Sequence, residues 1–290
     1  RSLVGGMDSP VLRRSDRSIL DEIFAGLTST IAAERTAAGQ RLRRFATVEV
    51  RRALDEADAQ GVMHRATEVE CSIEIMQRIS DLVDSPEQHG KLGAIVAVES
   101  LIDLEQEMHP QMGTRFANYV NSFIRRSDSG AEHQESVVAA VAALGKLVKA
   151  DMGIPADMVE DAISNALDWI RKDAEKVEGL RRRRFAAVHV LRQLAVDSPT
   201  HFYVQVIREV DIKDSFLEVM WGVLCDKSEV IRRTTASALG ACLEMVAQRE
   251  GDHCRELYRG VYEQALIHLG STNDAEVHGA LLAMCQLVVI

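Results

Sequence analysis

The side chains able to do chemistry are scattered through this 290-residue chain, and their spacing does not build a reaction centre. Nine histidines (His64, His89, His109, His133, His189, His201, His253, His268 and His278) are spread almost evenly along it. His64 and Glu68 stand one helical turn apart, as a base and its orienting carboxylate would, but no third group accompanies them. A surface helix pair is the simpler reading. The carboxylate pairs Glu68/Glu70 and Glu160/Asp161 do not share a helix face, which suits solvated surface better than general acid–base work. Cys71, Cys225, Cys242, Cys254 and Cys285 are odd in number and show no CxxC spacing. Cys225, Cys242 and Cys285 lie among apolar neighbours and read as small buried hydrophobes of a reducing compartment. There is no Gly-rich phosphate loop, HExxH, HRD or DFG sequence, and Gly5-Gly6 reads as linker. No catalytic, cofactor-binding or metal-binding residue is expected.

The strongest polar feature is the run Arg181, Arg182, Arg183 and Arg184. Four like charges in one helical turn repel, so acidic groups are expected beside them. They are either Asp173, Glu175 and Glu178 just upstream or an acidic face of a partner. Together with Arg192 and Arg233 this run is the candidate partner surface. The whole chain carries a net charge of −10, which argues against a nucleic-acid or membrane-surface partner. No segment approaches the ~20 apolar residues of a spanning helix, and no secretory signal precedes the first polar stretch. A cytosolic or nuclear compartment is expected.

Helices must hold whatever surface exists. Hydrophobic residues make up 47% of the chain but aromatics only 4%, and there are 5 prolines. Leu, Val, Ile, Ala and Met therefore supply the core, as in helix-on-helix packing. A repeat confirms the pattern. Ala94, Ala140, Ala187, Ala236 and Ala280 are each followed seven residues later by a leucine: Leu101, Leu147, Leu194, Leu243 and Leu287. The residue before each alanine is small: Gly93, Ala139, Ala186, Thr235 and Gly279. The leucines are 46, 47, 49 and 44 residues apart. A weaker early copy places Ala38 before Phe45.

Alanine and leucine seven apart share one helix face, and a stripe that short on large side chains cannot be buried by one helix alone. Neighbouring units must stack, and a two-helix unit of this period is of HEAT or armadillo type. The expected fold is all-α, an α-solenoid of about six HEAT-like antiparallel helix pairs. First helices are expected near 17–30, 61–83, 111–126, 156–173, 212–225 and 253–270. Second helices are expected near 34–56, 87–105, 132–149, 177–196, 228–248 and 274–290, with a short extra helix in 199–211. Trp169 and Trp221, near the ends of first helices, read as core anchors. Exposed residues of the second helices, such as Lys91, Arg184, Arg192 and Arg233, are expected to line an inner groove. Residues 1–15 read as a disordered tail and 16–290 as the solenoid, truncated at its apolar C-terminal end.

One stretch goes beyond generic repeat patterning: Arg115-Phe-Ala-Asn-Tyr-Val-Asn-Ser-Phe-Ile-Arg-Arg126. It resembles a signature of the N-terminal helical solenoid of the target-of-rapamycin (TOR) kinases. Segments beginning at Lys91, Ala166, Arg184, Ser198, Ala238 and Val277 agree with it in the same order, over roughly residues 17–290. The resemblance implies a non-catalytic segment of a very large serine/threonine kinase related to the phosphatidylinositol 3-kinases. The kinase domain and ATP site would lie outside this chain. It implies protein partners: a Raptor-type subunit, a Rheb-type small GTPase and the rest of the kinase chain, within a homodimeric parent complex. It further implies a cytoplasmic parent recruited to a lysosomal or vacuolar membrane surface without insertion. The rival reading is an unrelated HEAT-repeat adaptor, a transport receptor or a phosphatase-type scaffold.

Overall fold

The computed structural model describes residues 14–60, 65–104, 112–126, 134–150, 154, 156–172, 181–207, 210–249 and 252–289. The expected tail lies outside them up to the helical start at Arg14. The described residues form thirteen α-helices and no strand. In chain order these are α1 (Arg14–Leu27), α2 (Ala32–Gln60), α3 (Arg65–Val83), α4 (Gln88–Leu101) and α5 (Met112–Arg126). They continue with α6 (Gln134–Lys149), α7 (Ala156–Lys172), α8 (Arg181–Asp197) and the short α9 (Pro199–Phe202). The last four are α10 (Val210–Leu224), α11 (Glu229–Ala247), α12 (Asp252–Leu269) and α13 (Asp274–Val289). The six expected pairs are α1/α2, α3/α4, α5/α6, α7/α8, α10/α11 and α12/α13. The extra helix in 199–211 is α9, opened by Pro199 at its first turn and running into a π-helical turn, Tyr203–Ile207.

The chain divides into two compact units. One comprises Arg1–Val120 with Ala150–Gly153, the other Asn121–Lys149 with Ile154–Ile290, so the boundary falls inside α5. In the first unit α1, α2, α3 and α4 pack on one another. In the second, α6, α8, α11 and α13 form a run of successive second helices, while α7, α10 and α12 form the layer of first helices beside it.

The Ala-to-Leu stripe is what these layers bury. Ala94, Ala140, Ala187, Ala236 and Ala280 are at most 2% exposed, and so are Leu101, Leu147, Leu194 and Leu243. Each such leucine contributes about 1.5–3 kcal/mol by leaving water. Leu287 is only half-buried. Within the second unit the earlier stripe leucines are covered by the next helix pair, and no described helix comes after α13.

The small residue before the alanine has a specific task. A Cβ on Gly93 of α4 would overlap the carbonyl of Leu27 at the end of α1, and a Cβ on Gly279 of α13 would overlap the carbonyl of Leu224 at the end of α10. The end of one first helix therefore rests backbone to backbone on the second helix of the next pair. A second contact repeats along the second helices. Ser100, Gln193 and Gln286, each one residue before a stripe leucine, lie over Gly39, Gly145 and Gly240 of the preceding second helix.

Candidate functional site

Polar side chains tie one pair to the next at about the repeat period. Arg184 at the start of α8 places Nη1 2.6 Å from Asp226 Oδ2 in the turn before α11. The Asp226 side chain is 3% exposed and that of Arg184 16%. Asp226 Oδ1 accepts the Ser228 N–H at 2.7 Å, fixing the turn that starts α11. Arg232 Nη1 donates to the carbonyls of Asp226 (2.6 Å) and Lys227 (3.1 Å), and its Nε donates to His278 Nδ1 of α13 at 2.9 Å. Arg192 Nε donates to Ser237 Oγ of α11 at 2.9 Å. Arg184 and Asp226, Arg192 and Ser237, and Arg232 and His278 lie 42, 45 and 46 residues apart.

This chain of bonds corrects one expectation: Arg184 does not lie exposed on a groove, and it pairs with Asp226 of the next helix pair. A helix start in a stacked repeat faces the turn one period ahead as well as its own preceding loop. Arg192 is likewise half-buried and engaged. Arg233 is exposed and pairs with Glu229 at 2.7 Å one turn earlier. Lys91 is half-buried. The side chains of Arg181, Arg182 and Arg183, and Asp173, Glu175 and Glu178, lie outside the described residues.

Trp221 is a core anchor, 5% exposed, whereas Trp169 is only half-buried. Trp221 also marks a groove that linear spacing did not reveal. Its indole stacks on the His268 imidazole, with centroids 5.0 Å apart and planes at 15°. His268 Nδ1 lies 3.8 Å from Cys225 Sγ and 3.5 Å from Glu276 Oε2. Between α10 and α12 this cluster borders a cavity of about 520 Å³, rimmed by Glu218, Gly222, Glu263 and Glu276. A Cβ on Gly222 would meet nothing within 4 Å, so the floor there is open. On the other side of Gly222, Ile170, Arg171 and Arg184 border a second cavity of about 390 Å³ that shares Glu218.

The Cys225, His268 and Glu276 cluster is not a nucleophile and base. Burial, helped by the Glu276 charge, pushes the Cys225 thiol up to about 11, so it stays protonated at neutral pH. Sulfur and carboxylate also both face Nδ1, whereas a relay needs one partner on each ring nitrogen. The hydrogen bond from Ser271, with those from His268 and Asn273, holds the Glu276 carboxyl below its usual range. Burial pushes the Cys242 thiol up to about 12. Cys285 is exposed, contrary to expectation, because it falls on the face of α13 that carries exposed Leu281 and Val288. Among the described residues no three His, Cys, Asp or Glu side chains converge as metal ligands, and no helix is long and apolar enough to cross a membrane.

No protein-family model matches the chain. Serine/threonine-protein kinase TOR of Oryza sativa is 32% identical over 216 residues, 74% of this chain. Serine/threonine-protein kinase tor1 of Schizosaccharomyces pombe is 30% identical over 214 residues, again 74% of this chain. Serine/threonine-protein kinase TOR2 of Saccharomyces cerevisiae is 27% identical over 276 residues, 93% of this chain. The chain belongs to the TOR family, as a HEAT-repeat segment. It spans only 8–10% of the length of these curated TOR relatives. Among solved structures, a designed armadillo repeat protein is 15% identical with a TM-score of 0.40, covering 92% of this chain and 99% of its own. An engineered protein is 13% identical with a TM-score of 0.43, covering 93% and 99%. At these scores neither bears on the TOR kinship, which rests on sequence.

Proposed function

We propose that this chain is a non-catalytic scaffold segment of a TOR-type protein kinase, binding partner subunits and helping to assemble and dimerise the kinase complex that couples nutrient signals to growth. The observation that carries this reading is the use of the polar residues. Arg184, Asp226, Arg192, Arg232 and His278 are spent on joining one helix pair to the next. Such an array holds a long surface in fixed register, which suits protein docking. The protonated thiols of the half-buried Cys225 and the buried Cys242 add no nucleophile. The TOR kinship makes a Raptor-type subunit, a Rheb-type small GTPase and the rest of the kinase chain the partners to test, in a cytoplasmic complex without cofactor in this segment.

Cross-linking mass spectrometry on the native assembly tests the reading. Links are expected from Lys146, Lys149 and Lys227 to subunits other than this chain. Links confined to the chain itself would refute it. A phosphoryl-transfer assay on the 290-residue chain is expected to give no turnover above background.

A further inference from the structure

We infer that the groove between α10 and α12 is a socket for an arginine side chain presented by a partner protein. The inference rests on the scaffold reading and names the chemistry one of its surfaces selects. The cavity of about 520 Å³ falls within the range of small-ligand pockets. Its wall is the half-buried His268 imidazole, backed by the buried Trp221 indole on which it stacks, and a flat guanidinium packs beside such a ring. Its rim carries Glu218, Glu263 and Glu276, and no lysine or arginine lines it among the described residues.

The three carboxylates are not equivalent. Glu276 is occupied by His268 and Asn273. Glu218 and Glu263 take no hydrogen bond or ion pair from the described residues. Two acceptors beside an apolar wall match a planar fork of N–H donors better than the compact ammonium of lysine. The open floor at Gly222 leaves room for the stem to enter.

Trp221 reports the outcome directly. The chain has two tryptophans, so a Trp169→Phe background of the 290-residue chain isolates its fluorescence. The probe is the capped pentapeptide acetyl-Ala-Leu-Arg-Leu-Ala-amide, against the same peptide with neutral citrulline in place of arginine. A saturable fluorescence change is expected with the arginine peptide, about tenfold weaker or more with citrulline. Glu218→Gln with Glu263→Gln is expected to weaken it by a similar factor. Gly222→Leu, which fills the floor, is expected to abolish it with helicity retained in circular dichroism. Should Gly222→Leu unfold, the carboxylate variants decide alone. An equal response to both peptides, or none to either at millimolar concentration, overturns the socket. Intersubunit cross-links that persist in the native assembly with the groove blocked would also remove the socket, while leaving the scaffold reading in place.

Discussion

The joint of α1 on α4 in the first unit and the joint of α10 on α13 in the second share a backbone and differ in charge. In both, a leucine carbonyl at the end of a first helix rests on a glycine: Leu27 on Gly93, Leu224 on Gly279. In both, an arginine at the start of the intervening second helix clamps the turn. Arg35 donates to the carbonyls of Ser29 (2.8 Å) and Thr30 (3.1 Å), as Arg232 does to those of Asp226 and Lys227. In the first unit Arg78 reaches outward, to an Asp21 whose side chain is 67% exposed. The second puts one inside, between Arg184 and Asp226. The shared part is what the stacking geometry demands. The acid at the turn is an addition, and it turns a loop into a buried link between three helix pairs.

The largest expected break in the comparison is Asp226→Ala. Removing one partner of a buried pair leaves an uncompensated charge, here Arg184, whose Nε has no partner among the described residues, and costs about 3–5 kcal/mol. Asp21→Ala, at the exposed pair, is expected to cost less than about 1 kcal/mol. Urea denaturation with hydrogen exchange on each unit measures both. Equal losses would mean the two joints are energetically alike.

Next in size are the glycines. Gly93→Ala and Gly279→Ala each push a methyl into a carbonyl and are expected to cost about 1–3 kcal/mol, by similar amounts in the two units. Gly222→Ala, whose methyl meets open space on a helix, is expected to stabilise by about 0.5–1 kcal/mol. Thermal melts of the three variants separate a packing glycine from an incidental one.

His189 sharpens the second unit further. Burial, and then the Arg192 charge, push it down to about 4, and its ring meets that of Phe185 at 4.4 Å. Its folded value lies below its unfolded one, so the neutral form supports the fold. That support is complete above pH 6.5 and is lost as pH falls from there towards 4. A stability gap of about 1 kcal/mol between the chain and its His189→Gln variant is expected at pH 7, shrinking through that window.

The smallest effect is kinetic. At neutral pH Cys285 is expected to react with a thiol reagent first, the half-buried Cys225 more slowly, and Cys242 only as the second unit opens. Asp226→Ala should speed Cys242 labelling and leave Cys285 unchanged.

The helix pairs and their buried stripe were legible because both arise from local period: Ala94 through Leu243 lie where the spacing places them. The TOR kinship was legible for the same reason, since its segments are helix faces in order. Contacts between repeats were not. Arg184 finds Asp226, and Cys225 finds His268, across 42 and 43 residues, and no local window contains both members. Cys285 misled because apolar neighbours in a helix lie on all sides, and only its phase relative to Ala280 and Ala283 shows that it points outwards. Trp169 lies at the end of a first helix like Trp221, but no described imidazole stacks on its ring.

The seating of Leu27 on Gly93 and of Leu224 on Gly279 restricts where this chain tolerates changes in length. Each residue added to or lost from α4 or α13 turns the remainder of that helix by about 100°. The bare glycine would swing off its carbonyl and a side chain would swing in. Insertions and deletions should therefore survive in the turns and fail within these helices, whatever the chemistry of the residue added.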